Sequence, residues 1–316
     1  MIDAHLIGLY PRSEELIQVT RAAARGKASQ AEVEAIVRRD THTIAELQKT
    51  AGFGYVTDGQ LNWQDLFRPF SDLFTGIQPG GVTRWFDNNT FYRKPIITEK
   101  PRLRDSNTAR YFHSDLLPKD KARKAILPGP VTFAIMSENK TKLSTSDLVD
   151  DLAHGIRDLV NVLSKAGYAF FQFNEPILCQ SSVKSDDLKL AVNAFDTCAK
   201  GVGRATCLQT YFGDASRIIS SLLDLPVDYV GLDFYATPVE PLLDVDFTKG
   251  LACGCLDGRN SLLESSTELI QFIGRVKEGL EPKSLFICPN CDLEYLPYPI
   301  ALKKTQLLSS VMKEAA

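Results

Sequence analysis

The chain is poor in histidine and carries little excess charge of either sign. Four of its 316 residues are histidines, and none of the four (His5, His42, His113 and His154) has a partner at metal-ligand spacing. Lysine and arginine total 36 against 39 aspartate and glutamate residues, a net charge of −3, so no overall basic field attracts nucleic acid or an anionic membrane. We therefore expect structural or solvent-facing histidines, no nucleic-acid partner and no membrane partner.

Long apolar runs are missing as well. No stretch reaches transmembrane length, and the first sixteen residues lack the basic start and apolar core of a signal peptide. The seven cysteines are an odd number, and several fall inside apolar, strand-like runs, which argues against a disulfide framework. We interpret them as reduced, buried thiols and predict a cytoplasmic protein.

Short apolar runs alternate with amphipathic stretches along the whole chain. The runs predicted as strands are Ala4–Tyr10, Tyr55–Asp58, Ala125–Pro128, Ala169–Asn174, Ala205–Tyr211, Tyr229–Phe234, Gly250–Leu256 and Leu285–Cys288. Helices are predicted between several of them, for example over Ser13–Gly26, Ser29–Ala51, Thr145–Ala166 and Ser265–Gly279, and several begin with Ser or Thr as N-cap. This alternation predicts an α/β fold, a single (β/α)8 TIM barrel over residues 1–316, with a doubly wound open sheet as the alternative.

One connection is too long to be a simple link between a strand and a helix. Residues 79–124 are polar and rich in arginine, asparagine and aromatic residues. A loop of this length in a compact domain is usually functional. We expect it to form an excursion near the mouth of the barrel.

Polar residues are concentrated where the predicted strands end. In a barrel of this class the chemistry lies at that end, in the loops that follow the strands. The polar segments at these positions are Gly8–Arg12, Asp58–Asp65, Leu127–Thr132, Asn174–Pro176, Thr210–Asp214, Leu225–Asp233, Asp257–Asn260 and Cys288–Leu293. Each segment alone is compatible with turn or cap chemistry, but eight of them in order indicate a site.

These segments, read in order as G-x-YPR, DGQ-x-x-W-x-D, LPGPVT, NEP, TYFGD, LPVDYVGLD, DGRN and CPNCDL, resemble the cobalamin-independent methionine synthases over nearly the whole chain. That family has two homologous barrels. The C-terminal barrel binds zinc and homocysteine and transfers the methyl group, whereas the N-terminal barrel is degenerate and helps to hold the folate. The TYFGD, DGRN and CDL segments, with Thr83–Asn89 and Tyr92, resemble the N-terminal barrel.

The resemblance implies that most metal-ligand positions have been replaced. The family's His-x-Cys pair after the fifth strand corresponds to Gln209 and Tyr211, neither of which is a good zinc ligand. Asp233 and Cys291 correspond to the two remaining ligands, and Cys255 is a further weak candidate. Two capable ligands do not make a zinc site, which needs three or four, so we expect no zinc and no tightly bound cofactor in this chain.

The positions that bind the substrate in the family have changed too. By the resemblance, Leu9 stands where a serine contacts homocysteine, Gln60 where a glutamate stands, and Asn174 where an aspartate stands. Arg259 replaces a histidine acid and cannot exchange a proton at physiological pH. On this alignment the apparatus that methylates homocysteine has been lost.

The strand-end residues can still suit a pterin, the ring system of folate. A ring edge presents hydrogen-bond donors and acceptors that amides and carboxylates match, an aromatic residue can stack on the ring, and arginine can bind tail carboxylates. The candidates in a catalytic role are Asn174, Glu175, Asp257 and Arg259. Those for binding a methylated folate or related pterin are Arg12, Asp58, Gln60, Trp63, Arg84, Asn89, Arg93 and Lys94, with Asp233 also in the ring.

The cysteines allow a rival metal site. Cys253 and Cys255 lie two apart on one predicted strand and therefore share a face. Cys288 and Cys291 come from the adjacent strand, and Asp233 lies nearby. These residues could form a thiolate-rich zinc site different from that of the family, although Cys253 lies a layer below the mouth.

Three functions are consistent with this sequence. The first is an accessory subunit of N-terminal type that binds a methylated folate or related pterin and acts with a separate, homologous, zinc-bearing core barrel in methyl transfer to homocysteine. The second is an independent methyltransferase that uses a corrinoid or another methyl donor. The third is a pterin-binding module without catalytic activity.

Overall fold

The computed structural model describes residues 2–104, 107–183 and 185–315. In chain order its strands are β1 (Ile2–Ala4), β2 (Tyr55–Val56), β3 (Phe74–Arg84), β4 (Phe91–Leu103), β5 (Ala122–Pro128), β6 (Glu138–Asn139), β7 (Tyr168–Asn174), β8 (Ala205–Gln209), β9 (Tyr229–Asp233), β10 (Gly250–Leu256) and β11 (Leu285–Pro289). Its helices are α1 (Glu14–Ala24), α2 (Gln30–Ala51), α3 (Phe70–Leu73), α4 (Thr108–Tyr111), α5 (Pro130–Ile135), α6 (Thr145–Lys165), α7 (Ser185–Cys198), α8 (Ile219–Leu223), α9 (Ser266–Leu280) and α10 (Tyr298–Ala315).

Eight parallel strands form a nearly closed barrel. Their order is β1-β11-β10-β9-β8-β7-β5-β2, and the segments that follow the two outermost strands meet where Tyr10 N donates to Gly59 O at 2.9 Å. Sequential parallel strands that follow one another around a ring are the hallmark of the TIM barrel. The predicted barrel is therefore confirmed, and the open doubly wound sheet is excluded.

The first strand is shorter than predicted. It spans Ile2–Ala4 rather than Ala4–Tyr10, because side chains from across the barrel take over the backbone groups that follow it. Lys124 Nζ donates to Leu6 O and Gln172 Nε2 to Ile7 O. The apolar run is buried as expected, but it leaves the ladder and enters the barrel axis.

The second strand is cut short in the same way. Tyr55–Val56 replaces the predicted Tyr55–Asp58 because Gln48 of α2 bonds both backbone groups of Thr57, accepting from its N–H at 3.0 Å and donating to its carbonyl at 2.7 Å. Strand β10 was predicted over its observed residues, and the remaining strands differ from prediction by three residues or fewer at either end.

Serine N-caps start the helices as predicted. The hydroxyls of Ser13, Ser29 and Ser265 accept from the backbone N–H three residues later. Ser144 does the same for α6, whose capping box includes Asp147. Each cap satisfies an N–H that the helix itself cannot bond.

The bottom of the barrel axis is filled by aromatic rings around a buried cation. Tyr55, Phe170 and Phe286 pack edge to face, with centroids 4.8 and 5.7 Å from Tyr55. His5 stacks on Phe286 inside this layer, opposite to the mouth, and is fully buried. Lys124 is also buried there.

The predicted excursion contains a long antiparallel hairpin. Strands β3 and β4 pair from Phe74↔Leu103 to Arg84↔Phe91, so regular structure begins five residues before the predicted start of the excursion at Pro79. Trp85 and Tyr92, near the hairpin tip, pack on Phe67, which follows β2 on the mouth side. Asp105 and Ser106, within the predicted excursion, lie outside the described residues.

None of the helices in the described ranges is long and apolar enough to cross a membrane.

Candidate functional site

Glu175 caps a helix at the mouth of the barrel. Its Oε1 accepts from Val131 N at 2.9 Å and its Oε2 from Thr132 N at 2.7 Å, at the start of α5. Gly129 makes room for it, because a Cβ there would lie 2.2 Å from the carboxylate. Burial raises the pKa of Glu175 to about 7. Both oxygens are thus engaged by the fold.

Asp58 and Asp233 also organise backbone. Asp58 accepts from Gln60 N at 3.1 Å and from His113 N at 3.2 Å, which anchors the residues that follow the hairpin to β2. Asp233 accepts from the backbone N–H groups of Phe212 and Tyr235 and from Asn290 Nδ2, at 3.0–3.1 Å. Burial raises the pKa of both carboxyls.

The loop after β10 carries the other two predicted catalytic residues. Asp257 is half-buried and accepts from Arg259 N at 2.9 Å, which is a turn interaction. The Arg259 guanidinium lies over the Phe212 ring, 5.1 Å from its centroid. Arg259 therefore reaches the mouth, where it covers an aromatic ring.

Amide side chains occupy the upper part of the barrel axis. Gln172 Nε2 donates to Asn174 Oδ1 at 2.6 Å, and Gln60 Nε2 donates to Ile126 O at 3.1 Å. Gln209, at the end of β8, lies over Gly231, where a Cβ would meet its Oε1 at 1.9 Å. The axis thus presents neutral amides. Gln60 and Asn174 are candidates from the sequence analysis; Gln172, two residues before Asn174 on β7 and therefore on the same face, was not among them.

Trp63 does not stack at the mouth as predicted. Its indole is fully buried, its Nε1 donates to Tyr111 O at 3.0 Å, and Phe70 and Phe112 pack against its ring. Trp63 connects α3 and α4 to the barrel, and its indole ring is therefore part of the core.

Different aromatic residues cover the mouth. Phe86 from the hairpin tip contacts Phe212 from the loop after β8, with centroids 5.8 Å apart, and Phe212 contacts Tyr295. Phe86 and Phe212 both have positive φ, +48° and +65°, a conformation that is sterically unfavourable for a bulky residue. We call this pair the aromatic plug. Neither residue was selected from the sequence, because a local pattern does not predict a positive φ for phenylalanine.

Arg12 lies between two cavities beside the mouth. They measure about 480 and 470 Å³, and Arg12, Leu61 and Gln64 line both. Arg68 lines the first cavity and Glu294 the second. Burial lowers the pKa of Arg12, and Glu294 opposes this shift.

The other predicted pterin-binding residues of the hairpin, among them the tail-binding candidates Arg84, Arg93 and Lys94, do not line these two cavities. Arg84 and Asn89 are exposed near its tip, and Lys94 is half-buried on β4. Arg93 donates to Gly80 O at 3.2 Å across the hairpin. The structure brings none of these four side chains into the wall that contains Arg12.

A buried acid that the sequence analysis did not select lies at the end of β11. Asp292 Oδ1 accepts from Leu9 N at 2.9 Å, and burial raises the pKa of Asp292 to about 7. Gly8 leaves room for it, since a Cβ there would lie 1.4 Å from Oδ1. The CDL motif contains Asp292, but only its cysteine, Cys291, is a candidate in the sequence analysis.

The cysteines are all free and buried, as predicted. Within the described ranges, no group of three or more His, Cys, Asp or Glu residues is arranged to hold a metal. Cys291 Sγ faces Asp292 O at 3.7 Å, and burial raises the pKa of Cys291 well above its usual value. The rival site of Cys253, Cys255, Cys288, Cys291 and Asp233 is therefore not assembled.

Comparisons with known sequences agree with this geometry. A family profile described as cobalamin-independent synthase, N-terminal domain, matches residues 75–281. The methionine synthase of Saccharolobus islandicus is 28% identical over 308 residues, covering 96% of this chain and 92% of that protein. That of Sulfolobus acidocaldarius is 27% identical over 314 residues, covering 96% and 89%.

Solved structures show the same fold at low identity. A B12-independent methionine synthase from a Shewanella species, in complex with selenomethionine, has a TM-score of 0.82 at 16% identity and covers 99% of this chain and 97% of its own. A methyltransferase from Methanosarcina mazei has a TM-score of 0.62 at 12% identity, covering 99% and 94%.

Proposed function

Because the chain matches the N-terminal domain of the cobalamin-independent methionine synthases and so belongs to that family, we propose that it is an accessory subunit that binds a methylated folate or related pterin. It acts with a separate, homologous, zinc-bearing core barrel, which transfers the methyl group to homocysteine. The observation that carries the proposal is the ring of neutral amides around Gln209 and Asn174, where the family resemblance would place metal and substrate ligands.

The residues at the mouth do not fit zinc. Gln209 and Tyr211 supply an amide and a phenol in place of imidazole and thiolate, which zinc prefers. Asp233, the one acid of the matched set, already accepts three hydrogen bonds. We therefore derive no catalytic step through a metal in this chain, and the partner supplies the metal that activates the thiol.

The tail of the pterin substrate is held in the cavities beside Arg12. A folate tail carries carboxylates, which form charge-assisted and often bidentate hydrogen bonds with guanidinium groups. Arg12 and Arg68 line one continuous wall there. Arg12 is partly buried, so a carboxylate bound to it would be less screened by water than one on the exposed hairpin arginines.

The partner barrel docks on the face that carries the mouth. Six large apolar side chains are exposed in the hairpin tip and in the loops after β9 and β10: Val82, Phe91, Tyr235, Leu243, Leu262 and Leu263. Exposed apolar groups gathered around a site are typical of a protein interface. Docking there would place a methyl acceptor on the partner next to a pterin held in this barrel.

Reconstitution tests the proposal directly. The purified chain is mixed with a core barrel that retains His-x-Cys, and methionine formation from methyltetrahydrofolate and homocysteine is measured. We expect no turnover by this chain alone, and a lower KM for the pterin when it is added to the core barrel. An unchanged rate and unchanged pterin affinity on mixing would contradict the subunit proposal.

The same assay separates the other two functions. Stoichiometric zinc in the purified chain, together with thiol-dependent methyl transfer in the absence of a partner, would identify an independent methyltransferase. Pterin binding with no effect on any core barrel would identify a binding module. Arg12→Leu should weaken methyltetrahydrofolate binding about ten-fold or more, whereas Arg102→Leu on the exposed side of β4 serves as the matched control.

A further inference from the structure

Three buried glutamine oxygens near the top of the barrel axis have no hydrogen-bond partner. They are the Oε1 atoms of Gln60, Gln172 and Gln209. In each case the amide nitrogen donates to a backbone carbonyl, of Ile126, Ile7 and Thr210 respectively. Because only nitrogen can donate to a carbonyl, these contacts fix the orientation of each amide and leave each oxygen as a free acceptor.

The three glutamines share one region of the barrel. Gln172 and Gln209 lie on the neighbouring strands β7 and β8, and Asn174 is level with Gln209. The carbonyl that receives Gln60 belongs to Ile126, which is level with Gln172 on β5. Asn174 Nδ2 makes no hydrogen bond of good geometry within the described residues, although Asn174 lies close enough to the Tyr211 hydroxyl to oppose the rise that burial causes in its pKa. We call Gln60, Gln172, Asn174 and Gln209 the amide chamber.

Buried polar groups without a hydrogen-bond partner lower the free energy of unfolding. Each one destabilises a protein by about 1–3 kcal/mol, and apolar side chains of similar size would avoid that penalty. A cluster of three acceptors and one donor, all nearly or fully buried, is the pattern of a site whose partner is a ligand.

We propose that the amide chamber receives the 2-amino-4-oxo edge of a pterin, which deepens the proposed function and rests on it. This edge carries three N–H bonds, two on the 2-amino group and one on N3, and one carbonyl oxygen. Three glutamine oxygens and one asparagine NH₂ complement it in number and in kind. The edge is uncharged, as are all four side chains, so the chamber selects this head group over an amino-acid zwitterion.

In this proposal the aromatic plug, whose Phe212 follows Gln209 by three residues, covers the chamber and moves when the ligand enters. Phe212 follows Tyr211, whose ring it contacts at 4.7 Å between centroids, and Asn174 lies close enough to Tyr211 to oppose the rise that burial causes in the pKa of its hydroxyl. Phe86 and Phe212 both hold positive φ. Strained backbone of this kind is often found at ligand clamps and switches, and its release offsets part of the work of opening.

A comparison of two head groups without tails tests the proposal. Fluorescence titration of the full chain is carried out with unsubstituted pterin and with lumazine, which differs from it by a second oxo group in place of the 2-amino group. We expect the pterin to bind and lumazine to bind at least about a hundred-fold more weakly, because it would set an acceptor against glutamine oxygens. Equal affinities for the two compounds overturn the proposal, and so does a result in which the pterin binds neither the wild type nor a plug variant.

Two variants separate a ligand site from a structural one. Gln209→Leu should weaken pterin binding at least about ten-fold while leaving the thermal midpoint unchanged or higher, since it removes an unmet acceptor. A structural role predicts a lower midpoint instead. Gln306→Leu, on the exposed side of α10, is the control and should change neither binding nor midpoint.

Opening the plug gives a second readout. Phe212→Gly removes the covering ring and relaxes the positive-φ backbone, and we expect pterin association to be about ten-fold faster. Binding that appears only in this variant supports the proposal, with the plug as the barrier. Unchanged association in Phe212→Gly, with the pterin bound by both proteins, contradicts the plug as a cover.

The outcomes distinguish this inference from the proposed function. If the wild type stimulates a core barrel but does not discriminate pterin from lumazine, the chamber assignment is wrong and the subunit function stands. If the chamber discriminates as expected but no core barrel responds, the head-group site stands and the subunit function is wrong.

Discussion

Burial of the Lys124 side chain in the barrel costs free energy of folding. Its Nζ is fully buried, donates to Leu6 O at 2.8 Å and lies 5.2 Å from the centroid of the Phe170 ring. Burial lowers the pKa of Lys124 to about 7, and the nearby thiols of Cys207 and Cys288 oppose the shift. At neutral pH the fold therefore keeps a lysine half deprotonated that would be charged in the unfolded chain.

Replacing Lys124 by methionine should stabilise the protein at neutral pH. The unfolded chain binds this proton below about pH 10.5 and the folded chain only below about pH 7, so the wild type gains stability as pH rises between these values. We expect Lys124→Met to raise the free energy of unfolding by about 1–3 kcal/mol at pH 7, after the loss of the bond to Leu6 O. Urea unfolding at pH 7 and pH 10 measures it.

The pH dependence identifies the cause. The advantage of Lys124→Met should shrink or reverse at pH 10, where the folded wild type already holds a neutral lysine and the unfolded chain is close to losing the same proton. Lys303→Met, on an exposed position of α10, should be neutral at both pH values. A gain for Lys124→Met that is equal at pH 7 and pH 10 would show that packing, and not the buried charge, sets its effect.

Strand parity predicts the direction of some candidate residues. Asn174 ends an alternating strand and shares its face with Gln172, which donates to it. Asp58, Glu175 and Asp233 stand at strand ends too, but each is turned toward backbone N–H groups of the next loop or helix. A carboxylate beside unmet N–H groups can cap them or face a ligand, and sequence alone does not choose between these roles.

Among the connecting elements, the loop after β10 is held by one buried ion pair. Lys304 of α10 has a fully buried side chain; its Nζ donates to Asp257 O at 2.8 Å and to Glu264 Oε1 at 2.6 Å. The same Oε1 accepts from Asp257 N at 2.8 Å. This contact positions the segment that carries Arg259.

Breaking this pair should loosen the loop and destabilise the barrel. Lys304→Met leaves Glu264 charged and half-enclosed and removes the donor to Asp257 O. We expect a loss of about 2–4 kcal/mol in the free energy of unfolding, measured by urea denaturation at pH 7. Proteolysis should cut first between residues 257 and 265.

A second substitution serves as the matched control. Glu264→Gln in the Lys304→Met background keeps an acceptor for Asp257 N but removes the unpaired charge, so about half of the lost stability should return. If the double variant is no more stable than Lys304→Met, the charge is not the cause, and lost packing of the lysine stem is.

Strand boundaries show where sequence patterns stop being informative. Strand β10 is apolar on both faces and ends at a DG turn, so its limits follow from composition alone. The run after β1 is equally apolar, yet it leaves the ladder because Lys124 and Gln172, more than a hundred residues away, bond its carbonyls. A local sequence pattern carries no information about hydrogen-bond partners that lie so far away in the chain.

At the scale of the whole molecule, the apolar exposed residues and the aromatic plug lie on the same face. Phe91 is 54% exposed and pairs with Arg84 at the end of the hairpin that carries Phe86. Leu262 is 73% exposed in the loop that carries Arg259. A partner that docks on the hairpin and on the loop after β10 would contact the element that carries Phe86 and the element whose Arg259 lies over Phe212. In our proposal, docking and entry of the pterin head group therefore act on the same elements.

Removing the exposed side chains should weaken assembly without weakening the fold. We expect the double variant Phe91→Ser, Leu262→Ser to raise the Kd for the core barrel at least about ten-fold, because a few large apolar residues dominate most interfaces. Its thermal midpoint should match the wild type, since both side chains already face solvent. Sedimentation or calorimetric titration gives the Kd. Val192→Ser, exposed on α7 away from the mouth, should bind as the wild type does; if it weakens binding while the double variant does not, the partner docks on the helical side of the barrel instead.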